Sequence, residues 1–388
     1  MSRSRRLLTG VVLLALMAAF GAGVNRFLAS RDGSTSARPQ DPTQVHVAPQ
    51  LVLPGTIYFA DGGGLFSLTG TKVTQLQPEG RGWTEPVLLP DGTGLLAVKV
   101  TANYYSDLYR LSLTGAVEQQ LSSDSGKVTA TSLGADDWIY YPAVGPGNTL
   151  YFSYDYPKGN VDDASQCCYQ VDLSIWETTL GTDITRTNVE KGDGITQQSW
   201  ANYYTGGDIS PVPLVDGGLL YVDYEGAYGN TGQLSTPLPG AVPGAEVSQI
   251  RLDPKPLYNV AGSDGAALTL PQDDCAQPAL NPDESEIAMI CTPVVDGAPS
   301  STESDLVVAS FDAATGTLGP LDRLVTGTLA ASPTWSPDGT DLLYLAPEAG
   351  DGYFELWYLQ GAASATPSQP KQVTTDLDLD GSAPAWTS

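Results

Sequence analysis

The tetrapeptides SYDY, residues 153–156, and VDYE, residues 222–225, set phenols beside carboxylates in a chain of 388 residues. The same residue types recur in TANYYSD, which carries Tyr104 and Tyr105, and in QQSWANYYTGGD, which carries Trp200, Tyr203, Tyr204 and Asp208. A tyrosine offers a large rigid face at low entropic cost, and a neighbouring carboxylate accepts hydrogen bonds from sugar hydroxyls or cationic side chains. Tyr154, Asp155, Tyr156, Asp223, Tyr224, Glu225 and Tyr228 complete this set of candidate ligand contacts. Their chemistry is that of gripping a glycan or a protein. The competing role for each tyrosine is packing between neighbouring elements.

Catalytic chemistry has few carriers. The only histidine, His46, lies in the N-terminal stretch, so the body of the chain supplies neither a Ser-His-Asp triad nor a His-ligated zinc. No G-x-S-x-G nucleophile elbow and no P-loop occurs. A glycosidase or lyase built on a carboxylate pair is the enzymatic alternative, but with 44 acidic residues no pair stands out. DLDLDG, residues 376–381, places Asp376, Asp378 and Asp380 at the one-three-five spacing of a calcium loop, while the twelfth position holds Thr387 instead of an acid. The run also fits an ordinary turn. Calcium is the one candidate cofactor.

What must position these residues is a repeat. SPTWSPDG, residues 332–339, ends in a tight turn: Pro337 presets its backbone angle, Asp338 can bond its own backbone, and Gly339 accepts positive φ. Degraded copies align on a proline: EPVLLPDG at Pro86, YPAVGPGN at Pro142, SPVPLVDG at Pro211, QPALNPDE at Pro278, and a truncated APAWTS at Pro384. The spacing is about 50 to 70 residues. Each complete copy leads into an apolar β-rich run (LLAVKV, LYFSY, LLYVDY, IAMICT, LLYLA), then a third strand such as DLYRLSL, YQVDLSIW, DLVVASFD or ELWYLQG, then a short fourth such as EQQLS, DRLVTG or KQVTTD. Four antiparallel strands at this period describe a propeller blade, not a helical solenoid.

The truncated copy completes the ring. APAWTS is a first strand with no hairpin partner after it, and GTIYFAD, residues 55–61, is a second strand with no first strand before it. Pairing them, with GLFSLTG and TKVTQLQ following, gives six blades and leaves no open sheet edge. The expected fold is all-β: a six-bladed propeller of four-stranded antiparallel blades, closed by the C-terminal strand. The pattern P-x-W-S-P-D-G, apolar strand, L-Y-x-L strand and Q-V-T-like ending resembles the TolB-type six-bladed propeller repeat over residues 51–388. That resemblance implies a binding or scaffolding module. A similar ring also sits beside the hydrolase domain of prolyl-oligopeptidase-like enzymes, and this chain has no room for such a domain.

Ahead of the propeller, MSRSRR and the apolar run at residues 7–24 read, within residues 1–28, as a cleaved signal peptide or an uncleaved anchor. Residues 29–50, rich in Ser, Pro, Gln and Asp, read as a tether. Either leader exports the propeller across the cell membrane, where it stays held by its N-terminal helix or is secreted. From Pro39 onward, 12 basic residues face 43 acidic ones, a net charge of −31 that excludes nucleic acid as a partner. Cysteine usage fits an oxidising compartment. Cys275 and Cys291 lie symmetrically about Asp283, across the fifth blade's hairpin, and predict a cross-strand disulfide. Adjacent Cys167 and Cys168 allow a vicinal disulfide, a bond to another chain, or buried thiols.

Blade topology divides the disk into two faces. Short, nearly uniform turns between first and second strands occupy one. The second-to-third loops and the interblade connections occupy the other, vary widely, and carry the tyrosines and acids named above. The expected partner is an envelope protein or glycan bound there. The alternatives are the carbohydrate-active enzyme and a structural subunit of an envelope complex.

Overall fold

The computed structural model describes residues 46–47, 51–101, 105–123, 138–154, 173–184, 206–226, 240–242, 245–254, 265–348, 353–364 and 366–388. They form six antiparallel sheets in a ring, a six-bladed β-propeller, with no α-helix among the described residues. Blade 1 is the closing blade. Its inner strand is Ala385–Thr387, followed outward by Thr56–Asp61, Gly64–Thr69 and Lys72–Gln77. Tyr58 pairs with Ala385, Ile57 with Trp386 and Thr56 with Thr387, as the sequence predicts, and Trp386 Nε1 donates to Pro54 O at 2.8 Å. The chains approach so closely that a Cβ on Gly55, whose φ is 72°, would lie 1.7 Å from Thr387 O.

Blades 2 to 6 begin at Trp83, Ile139, Gly206, Cys275 and Ala331. Their first hairpins follow the turn chemistry read above. Gly339 N donates to Ser336 O at 2.8 Å with Gly339 at φ 74°, and the Asp338 carboxylate accepts from Thr340 N at 3.2 Å. Asp91, Asp216 and Asp283 do the same for Thr93, Gly218 and Ser285. Blade 3, where GPGN replaces the phrase, turns instead through a single-turn 3-10 helix, Pro146–Asn148. Its third strand, Ser174–Thr179, takes in the last three residues of the YQVDLSIW run.

The second strands are buried on both sides, which is why they read as apolar runs. In blade 5, Ile287, Met289 and Cys291 pack on blade 4, while Ala288 and Ile290 pack on blade 6. Fully burying such a side chain stabilises by about 1.5–3 kcal/mol.

The aligned prolines carry a feature that their spacing alone does not reveal. The residue before each of the first five, Glu85, Tyr141, Ser210, Gln277 and Ser332, sits at φ 50°, 54°, 55°, 52° and 52°. In every case the inner strand bulges there, so two residues face one. A left-handed non-glycine residue costs about 1–3 kcal/mol. What the bulge gains is reach toward the next blade. Glu85 Oε2 accepts from Tyr141 N at 2.6 Å, Gln277 Oε1 accepts from Ser332 N at 2.8 Å, and Ser332 Oγ donates to Gly381 O at 2.5 Å. The inner strands of blades 2 and 3, and of blades 5 and 6, are thus laced together.

One segment departs from the tether reading. His46–Val47 pairs antiparallel with Thr374–Thr375 at the rim of blade 6, so the last part of the proposed tether belongs to the compact unit. Residues 1–45, on which the leader reading falls, lie outside the described residues. No helix among the described residues is long and apolar enough to cross a membrane.

Candidate functional site

The third strands start on the loop face, and three of them carry a buried acid at their first or second position: Asp305 at the first, Asp107 and Glu355 at the second. Each is held by its own blade. Ser122 Oγ donates to Asp107 and accepts from Leu108 N at 2.9 Å; Thr374 Oγ1 donates to Glu355 at 2.8 Å and accepts from Leu356 N at 3.0 Å; Arg323 pairs with Asp305. The Q-V-T-like ending therefore has a physical meaning. Its hydroxyl stitches the fourth strand to the acid and backbone of the third.

Among the predicted ligand contacts, blade 4 brings four together. Asp208 on the inner strand lies directly opposite Asp223 on the second, with Gly207 opposite Tyr224 and Gly206 opposite Glu225. Two facing carboxylates repel, and the local compensation is Arg251. Its Nε pairs with Asp223 and its Nη1 donates to Gly265 O at 2.9 Å. Burial opposes the charge on Arg251, but Asp223, together with Tyr221 and Glu225, more than offsets it and holds the guanidinium protonated. Gly207 is small for a reason: a Cβ there would meet the Tyr224 hydroxyl at 2.8 Å and Leu173 O at 2.7 Å. Tyr105 stands apart in blade 2, its ring 6.4 Å from that of Trp138.

Tyr154 is a correction. It is 1% exposed, edge-on to Phe152 and Trp176, inside the core shared by blades 2 and 3. Strand alternation turns it into the seam, so its role here is packing and not ligand capture. Tyr104, Asp155, Tyr156, Trp200, Tyr203, Tyr204, Tyr228, Cys167 and Cys168 lie outside the described residues. Cys275 and Cys291 are directly paired and bonded, S–S 2.07 Å, as their spacing predicts.

DLDLDG forms the connector from blade 6 to blade 1. Asp378 N donates to Asp61 Oδ1 at 2.9 Å, Leu377 N donates to Glu355 Oε1 at 2.7 Å, and Asp380 accepts from Ser382 N and Oγ at 3.0 and 2.6 Å. Burial pushes the Asp61 carboxyl up to about 6 against the opposing Asp378 hydrogen bond, with Glu79, Asp378 and Asp380 adding repulsion; burial raises Asp378 too. Asp274, which accepts from Ser248 N at 2.7 Å, is likewise raised by burial to about 6. Among the described residues no group of three or more His, Cys, Asp or Glu is arranged to hold a metal ion. Nothing in the local sequence marked Asp61, Asp274 or Arg251. Asp61 ends an apolar strand, and its partner is more than 300 residues away.

The solved structure of TolB from Acinetobacter baumannii superposes with a TM-score of 0.53 at 16% identity, over 86% of this chain and 66% of that one. The chain carries a TolB-like propeller. It spans just under two thirds of that protein. A TolB described as putative, from Agrobacterium tumefaciens, aligns at 0.49 and 13% identity over 88% of this chain and 92% of that one. A periplasmic gluconolactonase from Pseudomonas aeruginosa aligns at 0.42 and 13% identity over 83% and 82%. No protein-family model and no curated protein sequence matches the chain. At these identities the likeness of the TolB-like propeller to its neighbours is one of fold.

Proposed function

We propose that this TolB-like propeller is exported, membrane-tethered and noncatalytic, and binds a protein or glycan ligand at the cell envelope through its loop face. The observation that carries the reading is the contrast between the two faces. On the turn face the aspartates of the hairpins are engaged by the turns that contain them. The loop face carries longer and more varied segments, and there blade 4 gathers Asp208, Asp223, Tyr224 and Glu225. Export is supported by the arginine-flanked apolar leader and by the Cys275–Cys291 bond, which belongs to an oxidising compartment. The lone histidine argues for binding over hydrolysis.

The test is photo-crosslinking in intact cells, with the reactive residue placed at Tyr105, Tyr224 or Glu225 and, on the opposite face, at Thr93, Val215 or Thr340. Discrete adducts from the loop-face positions alone are expected. Adducts confined to the turn-face positions would overturn the reading.

A further inference from the structure

The described end of blade 4's second-to-third loop, residues 240–242, is knitted to the second-to-third loop of blade 5 as one platform. Val242 N donates to Gly297 O at 3.1 Å, and Val294–Val295 pairs with Ala298–Pro299 around the Asp296–Gly297 turn. A Cβ on Gly297, φ 81°, would lie 1.8 Å from Gly240 O, so the approach demands glycine. Beneath it Ala245 and Val247 form a small core with Ala241, Val294 and Ala298. The base is cross-linked: Cys291, at the end of the second strand, is bonded to Cys275, and Thr292 N donates to Asp274 O at 3.0 Å. Loops braced in this way lose little freedom when something binds.

The braced platform leaves aliphatic side chains in water. Val242 is 42%, Val295 57% and, on the adjoining interblade connection, Leu270 57% exposed. The stretches that carry them, 240–248, 270–274 and 292–304, contain no lysine or arginine and hold Glu246, Asp296 and Glu303 exposed and Asp273 partly exposed. Apolar groups within an acidic rim complement a segment whose aliphatic side chains alternate with positive charges.

We infer that this platform on blades 4 and 5 is a docking site for a cationic protein segment carrying aliphatic anchors; the inference rests on the loop-face reading and narrows it to one partner chemistry. Aliphatic anchors cover Val242, Val295 and Leu270, while Lys or Arg meets the rim. Charge makes the encounter fast and salt-dependent, and the apolar contact makes it selective.

The probes are a fluorescent peptide of alternating lysine and leucine, an all-lysine peptide and an alternating glutamate–leucine peptide, each titrated into the full-length chain. The lysine–leucine peptide should bind most tightly, more weakly as salt rises. Val242→Ser, Val295→Ser and Leu270→Ser combined should weaken it at least about tenfold, about 1.4 kcal/mol, with little change for the all-lysine peptide. Gly297→Ala, which keeps the aliphatics but separates the loops, should weaken it too. Equal affinity of the native chain for the lysine–leucine and all-lysine peptides would overturn the inference, as would full binding by the triple variant. Binding lost instead in Tyr224→Ala would move the site to blade 4's inner strands, sinking the platform and sparing the loop-face reading. Crosslinks confined to the turn face would sink both.

Discussion

The two faces of the disk use the same residue type in opposite ways. On the turn face, Asp91, Asp283 and Asp338 accept hydrogen bonds from residues two positions away, and those bonds hold their carboxyls below the usual range. On the loop face, Asp61 and Asp274 accept from residues remote in sequence, and burial holds their carboxyls above it. The turn acids are local and solvated. The loop-face acids are long-range ties whose desolvation works against ionisation.

The largest expected effect comes from cutting such a tie. Glu355 is fully buried and serves both Thr374 Oγ1 and Leu377 N, so Glu355→Ala leaves two buried groups without an acceptor. A loss of about 3 kcal/mol is expected in chemical denaturation, against a much smaller loss for Asp338→Ala. Equal losses would erase the distinction between the faces.

Asp61→Asn sharpens it with the opposite sign. The amide keeps an oxygen for Asp378 N but cannot ionise. The folded carboxyl titrates at about 6 and the unfolded one near 3.8, so the native chain loses stability as pH rises through that window and stays level above it. The variant should match the native chain below pH 3.8 and exceed it above pH 6 by about 3 kcal/mol. A thermal-melt series across pH checks this. A variant destabilised at pH 7 would show that the ionised carboxylate strengthens the tie.

Lacing of the inner strands predicts a smaller and more local effect. In Glu85→Ala the Tyr141 amide loses its acceptor, and its hydrogen exchange should quicken while stability falls by about 1 kcal/mol. Gln277→Ala should do the same at Ser332. Unchanged exchange at both amides would show that the bulges stand without the lacing.

What the sequence disclosed follows the same division. Turn chemistry is local, so SPTWSPDG, its copies and the closure of APAWTS on GTIYFAD were legible in the chain, and the Cys275–Cys291 pair followed from hairpin symmetry. Interblade ties join positions that no short motif relates. The left-handed residue before each inner-strand proline is signalled only by the proline, and Glu85 reaching Tyr141 or Asp61 reaching Asp378 depends on the assembled ring. The candidate contacts were found by type, yet Tyr154 shows the limit of that method. Its parity in the strand turns it inward to Trp176, and tyrosine type alone does not carry parity.

The smallest effect belongs to the turns. Asp338 is held low by Ser336 and Thr340, so its contribution is present above the unfolded carboxyl value and fades as pH falls through the folded one. Asp338→Asn keeps an oxygen for Thr340 N but loses the charge that strengthens the bond. The variant should be slightly less stable than the native chain at neutral pH and indistinguishable from it in acid. This is the reverse of the Asp61→Asn profile, whose gain appears above pH 6. Two melt series run side by side therefore test the contrast itself: if the profiles run in the same direction, local solvation does not separate the acids of the two faces.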